Sequence, residues 1–493
     1  MAKESVERMK KTRDYAKERK ELAILEKRKA KPKNQFYLFY MLLILALIYI
    51  ADEVSTNLPN NLLSEINLNI NVIGKAGELG YGLNDINHAV YGGEGPDNLL
   101  AIVSSGLSKI SLISLLGNFM LIFSLLYRPL SDRFGRKIFL FINTFGMGLS
   151  ALLFFTSNNI FMYALSFFVL RFFVTPDQQI VYLFEIAPEK HRNTIYSLVK
   201  GVAELGLVLI ALLRKCFLNR DDYQSYKWIF LSVAIAAFVI SFLALLFARE
   251  SEAFLESRIR YLQESDETRE ANKKEASKKQ GGLIAALKYS FSNKQVLYIC
   301  LATLVVELIY APCNSYAAVL NNGFLGKGGL SQADSTSVAF VFPFSCAFVS
   351  ATYGLFSDKF GRKNTSILLC SLCFVSYVLL CVGLYCSWSP YLLGILLGVV
   401  LGADWGNGDL LSLLASESTP TNLRSSVMAS WSLFFGVGMI LSQGFSTLVP
   451  LLFGVRYISL AYLCLVLPAM ICSLLLLMSK VKETKGTDLV HQG

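Results

Sequence analysis

Arg128-Pro-Leu-Ser-Asp-Arg-Phe-Gly-Arg-Lys137 decides how this chain is read, because it occurs twice. It returns as Gly354-Leu-Phe-Ser-Asp-Lys-Phe-Gly-Arg-Lys363, with Asp132 and Asp358 226 residues apart. Glu185-Ile-Ala-Pro-Glu-Lys-His-Arg192 returns as Glu417-Ser-Thr-Pro-Thr-Asn-Leu-Arg424 at an offset of 232. Arg249-Glu-Ser-Glu returns more loosely as Lys482-Glu-Thr-Lys, at 233. Three signals in one order at nearly one offset describe two halves in parallel repeat.

The residues between these signals are apolar. Of 493 residues, 54% are hydrophobic and 17% charged, and mean hydropathy is +0.48. Too few polar residues remain to coat soluble domains. Ile138–Phe155, Ile229–Phe247 and Tyr462–Met478 carry almost no charge, and a membrane crossing needs ~20 such residues. The expected fold is all-α and membrane-integral, with twelve spans near 36–58, 101–127, 138–156, 160–184, 194–214, 228–248, 295–320, 335–355, 365–386, 390–414, 425–449 and 457–479. Each repeated signal follows the second, fourth or sixth span of its half. The segments are then a charged head (1–34), a six-helix half (35–248) with a polar loop (59–98), a central loop (249–294), a second half (295–479) and a tail (480–493).

Charge gives the orientation. The head has 13 Lys+Arg against 6 Asp+Glu, whereas 59–98 has one Lys and five acids. Basic residues near span ends mark the cytoplasmic side. That predicts a multi-pass protein of the plasma membrane with both termini and the central loop inside and 59–98 outside. Arg214, Lys215, Arg220 and Lys227 dissent, because 214–227 then falls outside. The net charge of +10 sits mainly in the head, whose alternating charges suit a solvated helix beside anionic lipid rather than nucleic acid. No HExxH, Walker loop, GxSxG or paired Cys/His pattern occurs. No enzyme activity, cofactor or metal is therefore expected.

Asp-Arg-Phe-Gly-Arg-Lys after span 2, repeated after span 8, resembles the signature loop of the major facilitator superfamily. Glu-x-x-Pro-x-x-x-Arg after spans 4 and 10 and Glu250-Ser-Glu-Ala-Phe-Leu255 after span 6 resemble its sugar-porter and organic-ion branch. The resemblance implies a monomer that carries a small molecule by alternating access. It also implies a cytoplasmic latch of Asp132, Arg133, Gly135, Arg136, Glu185 and Arg192, mirrored by Asp358, Lys359, Gly361, Arg362, Glu417 and Arg424. Gly135 and Gly361 permit a tight turn, Asp132 and Asp358 can sit near helix N-termini, and the basic residues can pair with Glu185 or Glu417. Positive-inside anchoring explains the charge, but not the repeated Asp and Gly.

Charges inside spans are costly and face a cavity or the protein interior. The candidates are Asp52, Glu53, Arg171, Asp177, Lys200, Glu204, Glu307, Asp404 and Asp409. Seven are acids, more than a buried site holds unless some are protonated, paired or awaiting a cation. An acid on span 1 opposite Arg171 on span 4 resembles the proton-coupling pair of sugar symporters. Asp52 and Glu53 point ~100° apart on a helix, so one of them faces Arg171, with Asp52 preferred. Beside Arg an acid stays ionised; withdrawn into a dry cavity it takes a proton.

Thr175, Gln178 and Tyr182 continue a polar face from Arg171, and Thr303, Glu307, Tyr310 and Asn314 form a stripe on span 7. Such stripes line a cavity or hold helices together. Lys200 and Glu204 share a face of span 5 and either enter the cavity or neutralise each other. Asp404, beside Trp405, suits an organic cation. Lys200 stands where sugar porters commonly carry Gln, and Ser412 where they often carry Trp, so a hexose is not the expected solute. The expectation is proton-coupled symport of a small polar organic solute, sugar-like or ionic. The alternative is facilitative or organic-cation transport without proton coupling.

Overall fold

The computed structural model describes residues 15–29, 37–92, 95–120, 130, 134–174, 178–186, 192–219, 222–264, 268, 289–419 and 424–484. Eleven helices among them are long and apolar enough to cross a membrane, and Ile160–Val174 is a shorter apolar helix. Twelve spans result. The first half has Tyr37–Asn61, Asp97–Asn118, Arg136–Thr156, a fourth span of Ile160–Val174 and Gln178–Ile186, a fifth of Arg192–Leu205 and Val208–Phe217, and Lys227–Phe247. The second has a seventh span of Lys294–Glu307, Tyr310–Asn314 and Tyr316–Asn322, then Gln332–Phe360, Arg362–Tyr385, Pro390–Glu417, Arg424–Phe453 and Ile458–Ser479.

Local chemistry sets the ends. Asn293 opens span 7 by accepting from the backbone N–H of Gln295 and Val296 at 3.0 and 3.3 Å. Ser331 opens span 8 by accepting from Asp334 N at 3.2 Å, and Pro390 stands in the first turn of span 10. These are N-cap and N1 chemistries that satisfy or remove orphan donors. Span 7 is discontinuous because Pro312 has no N–H to offer the Leu308 carbonyl. Ser442 of span 11 substitutes: its hydroxyl donates to Leu308 O at 2.6 Å and accepts from Ala311 N at 2.9 Å.

Between the spans, small residues replace hydrophobic burial as the means of close packing. A Cβ on Gly398 would lie 2.1 Å from Phe342 O, and one on Gly402 2.8 Å from Cys346 O. The glycines of span 10 thus seat it on span 8, and the helix runs unbroken, so local unwinding does not occur there. The halves meet where span 5 packs on span 8 and span 2 on span 11. At the first contact a Cβ on Gly201 would stand 3.0 Å from Ala351 Cβ.

Two expectations are corrected, and one exception is explained. The polar stretch 59–98 is helical: span 1 is followed by Leu63–Asn67, a π-turn at Leu68–Val72, Ile73–Glu78 and Leu83–Gly92. Leu62, Ile66 and Val72 are buried there, and Asn67 donates to Val103 O of span 2 at 3.2 Å. The head helix Tyr15–Lys29 is not solvated all round. It docks on Glu252–Gln263 of the central loop through Leu25, Phe254, Leu255 and Leu262, with Arg258 bridging to Glu21 at 2.9 Å. The dissenting basic residues are partly consumed internally. Arg214 is buried against Glu65 at 3.0 Å, and Lys227 donates to Asn158 Oδ1 at 2.5 Å.

Candidate functional site

The repeated motifs build two matching clusters on one face of the bundle. Gly135 and Gly361 have φ of +106° and +99°, with ψ of 151° and 161°, a region essentially reserved for glycine. Each turn delivers the next span's free N-terminus to a glutamate. Glu250 accepts from Arg136 N at 2.7 Å and Lys137 N at 3.2 Å. Glu483 accepts from Arg362 N at 2.8 Å and Lys363 N at 3.1 Å. A negative group there is favoured by the orphan donors and the helix dipole. A Cβ on Gly135 or Gly361 would come within 2.4 or 2.3 Å of that carboxylate, a second reason for glycine. Burial pushes the Glu250 carboxyl above its ordinary value, opposed by the N–H groups of Lys137, Arg136 and Ser251.

Arg136 pairs with Glu185 at 3.1 Å and Arg362 with Glu417 at 3.4 Å. Ser251 and Thr484 donate to the second oxygens of Glu185 and Glu417. Each of these bonds lies within one half and braces three spans of that half. Asp358 pairs with Arg362 at 2.7 Å, one turn away. Lys359 lies over the Phe360 ring at 5.3 Å. Asp132, Arg133, Thr175 and Asp177 lie outside the described residues, as do the side chains of Gln178, Arg192 and Arg424.

Above the motif face the halves are joined by charge. Lys200 of span 5 reaches Asp409 of span 10 at 2.5 Å. Tyr353 of span 8 donates to the same Asp409 oxygen at 2.7 Å, and Tyr196 of span 5 approaches it at 3.5 Å. Tyr196, Tyr353 and Asp409 head a cavity of about 300 Å³ that is also lined by Asp358, Ser412 and Ser416. Lys200 and Glu204 therefore do not form a closed pair. Glu204 is fully buried between the halves and accepts from Ser350 at 2.7 Å and Cys346 at 3.3 Å, both on span 8.

At mid-depth, Arg171 of span 4 donates to the Tyr310 hydroxyl of span 7 at 2.8 Å, again across the halves. Asp52 is buried and accepts from Gln179 at 2.5 Å. Glu53 accepts from Asn57 at 3.2 Å. Glu307 and Asp404 are both buried, 7% exposed, and within electrostatic reach of each other. Gly408 leaves room beside Glu307, since a Cβ there would stand 3.7 Å from its carboxylate. Asp404 and Asp409 thus serve different neighbours, as their angular separation on the helix requires. Trp405 is half-buried against the core. Thr303 accepts from Trp431 of span 11 at 2.8 Å, so it joins helices. Asn314 donates to its own helix at Tyr310 O, 2.9 Å away. Tyr182 reaches the Arg249 carbonyl near the motif face rather than the centre.

At the opposite face, Arg214 also donates to Asn61 O and to Thr336 of span 8, at 2.5 and 3.3 Å, and Asn321 donates to Ser64 at 2.6 Å. The halves are therefore bonded both above and below the Arg171 level. Sequence reasoning missed Gln179, Tyr196, Tyr353, Ser350 and the Arg214–Glu65 pair. The one available signal was Arg214, whose charge opposed the orientation rule.

Twelve spans in two halves, closing on a charged centre from both faces, define a multi-pass membrane protein of the transporter class. The chain matches the family described as Major Facilitator Superfamily over residues 36–443 and again over 313–492. It belongs to that superfamily, whose members are transporters rather than enzymes. Its fold is similar to the D-xylose-proton symporter, with a TM-score of 0.64 and 16% identity over 91% of this chain and 99% of the other. It is also similar to the human organic anion transporter MFSD10, with a TM-score of 0.55 and 15% identity over 88% and 99%. The shikimate transporter of Escherichia coli strain K12 is 29% identical over 150 residues, 28% of this chain and 32% of that relative. The matched stretch thus spans about a third of the curated relative's length.

Proposed function

We propose that the chain couples uptake of a small polar organic solute to inward proton flow by alternating access, with its motif face cytoplasmic in the plasma membrane. The observation that carries this reading is the surplus of central carboxylates. Asp52, Glu53, Glu204, Glu307, Asp404 and Asp409 lie in the middle of the described spans beside Arg171 and Lys200, and a further buried base, Arg214, is taken by Glu65. A surplus of four acids over Arg171 and Lys200 is incompatible with a dry, closed centre, so closure selects protonated or ligand-paired forms. Asp52 takes the proton from outside, solute enters beside Arg171, Tyr310, Glu307 and Asp404, and the opposite face closes. Parting of Lys200 from Asp409 then opens the motif face. Arg171 helps expel the proton by favouring the ionised acid.

Asp52→Asn and Glu53→Gln, made separately, provide the test in reconstituted vesicles. The variant at the coupling position is expected to lose pH-driven accumulation and keep solute exchange between the two sides. Accumulation retained in both variants contradicts the assignment. The uncoupled organic-cation reading draws on Asp404 beside Trp405 and predicts uptake that follows membrane voltage but not the pH gradient.

A further inference from the structure

A cavity of about 940 Å³ lies not at the centre but at the motif face, beneath the docked head helix. Its rim is basic: Arg28 and Lys29 from the head helix, Lys137 from the start of span 3 and Arg249 just after span 6. Glu250 and Glu252 also border it, but the Glu250 carboxylate is turned onto the backbone of Arg136 and Lys137. The Lys29–Glu256 pair at 3.0 Å is about half exposed on both sides, so it holds Lys29 only weakly. Tyr37 and Tyr40 stand edge to face at 5.6 Å on the same rim, the pairing of aromatic and basic groups found at membrane interfaces.

The deeper wall is apolar. It is formed by Ile138 and Ile142 of span 3 and Leu245, Leu246 and Phe247 of span 6. Leu246 and Phe247 are 71% and 58% exposed, so the wall continues onto the surface that faces lipid. The rim lies level with the first residue of span 1 and the last of span 6, which is the headgroup depth.

We propose that this cavity binds an anionic phospholipid, its phosphate among Arg28, Lys29, Lys137 and Arg249 and its acyl chains along Ile142, Leu246 and Phe247. A free phosphate would use the rim and leave the apolar wall uncovered. A neutral lipid would cover the wall but bring no net negative charge to a rim in which four basic side chains outnumber two acids. The occupant couples three parts of the chain that are otherwise distant in sequence: the head helix, the Gly135 turn and the end of span 6.

The test is native mass spectrometry of the full chain titrated with phosphatidylglycerol or phosphatidylcholine. One phosphatidylglycerol should be retained in preference to phosphatidylcholine, and millimolar inorganic phosphate should not displace it. Arg28→Ala with Lys29→Ala should weaken that affinity by at least about tenfold, since each basic residue near an anionic headgroup contributes roughly a fivefold factor. Lys20→Ala with Lys27→Ala removes the same charge from the same helix, away from the cavity, and should leave affinity unchanged. Equal binding of the two lipids, displacement by phosphate, or equal loss in both double variants would each overturn the proposal. Unchanged melting of both variants in detergent confirms that they are folded.

Discussion

Replacing Lys200 by methionine should open the motif face. The ammonium is about 90% buried and 2.5 Å from Asp409. Removing one partner of a fully buried pair costs about 3–5 kcal/mol, because the remaining charge is left uncompensated. Asp409 is about a third exposed, so water screens part of that and the cost here is about 1–2 kcal/mol. Here that cost falls on one conformation only. Lys200 and Asp409 belong to opposite halves, so Asp409 is stranded among Tyr196 and Tyr353 when the halves are together and hydrated when they part. The equilibrium should move towards the motif-open form by roughly tenfold. Hydrogen exchange reports it directly: backbone amides of Arg192–Leu205 and the last turns of Pro390–Glu417 should exchange faster than in the wild type. Adding Asp409→Asn should restore much of the protection, because the amide oxygen still accepts from Tyr353. Unchanged exchange in a folded Lys200→Met protein would show that the pair does not hold the halves.

Gly361→Ala should be among the most destabilising single substitutions in the chain. It combines a backbone at φ +99°, ψ 161° with a Cβ 2.3 Å from the Glu483 carboxylate. A non-glycine residue in that region costs about 1–3 kcal/mol, and displacing the capping carboxylate adds about 0.5–2 kcal/mol. Gly444→Ala is the control: nothing lies within 4 Å of its Cβ position, and alanine is the better helix former by about 1 kcal/mol. Thermal unfolding in detergent should therefore fall several degrees for Gly361→Ala and hold or rise for Gly444→Ala. Adding Glu483→Ala to Gly361→Ala should relieve the collision but not the backbone cost. Equal melting of the two alanine variants would remove both reasons given for this glycine.

The fold was legible because its two signals are long-range and redundant. Twelve apolar stretches of span length cannot be hidden in a sequence, and the 226–233 offsets of Asp132, Glu185 and Arg249 fix the halves independently of any boundary. The motif clusters were legible in part. Glu185 and Glu417 were visible as partners of the basic loops. Glu250 and Glu483 stood in the loosest repeat, and only the geometry shows them capping the next span. The centre was less legible for a physical reason. Helical spacing says which residues share a face, but not which neighbouring helix that face meets. Lys200 and Glu204 are one turn apart and look like a pair. They part because span 5 is wedged against span 8 and beside span 10, which offer Ser350 to one and Asp409 to the other. Arg214 shows the reverse. Its charge broke the orientation rule because a buried arginine bonded to Glu65 and Asn61 does not report topology at all.

The central claim is that closure of a carboxylate-rich centre ties solute movement to protons. Uptake into vesicles holding the purified full chain, across a labelled panel of sugars, organic cations and organic anions, tests it with and without an acid-outside pH gradient. The expected result is a solute that accumulates above its outside concentration only when the gradient is imposed. A solute carried readily but only to equilibrium, at the same rate with and without the gradient, would contradict the account.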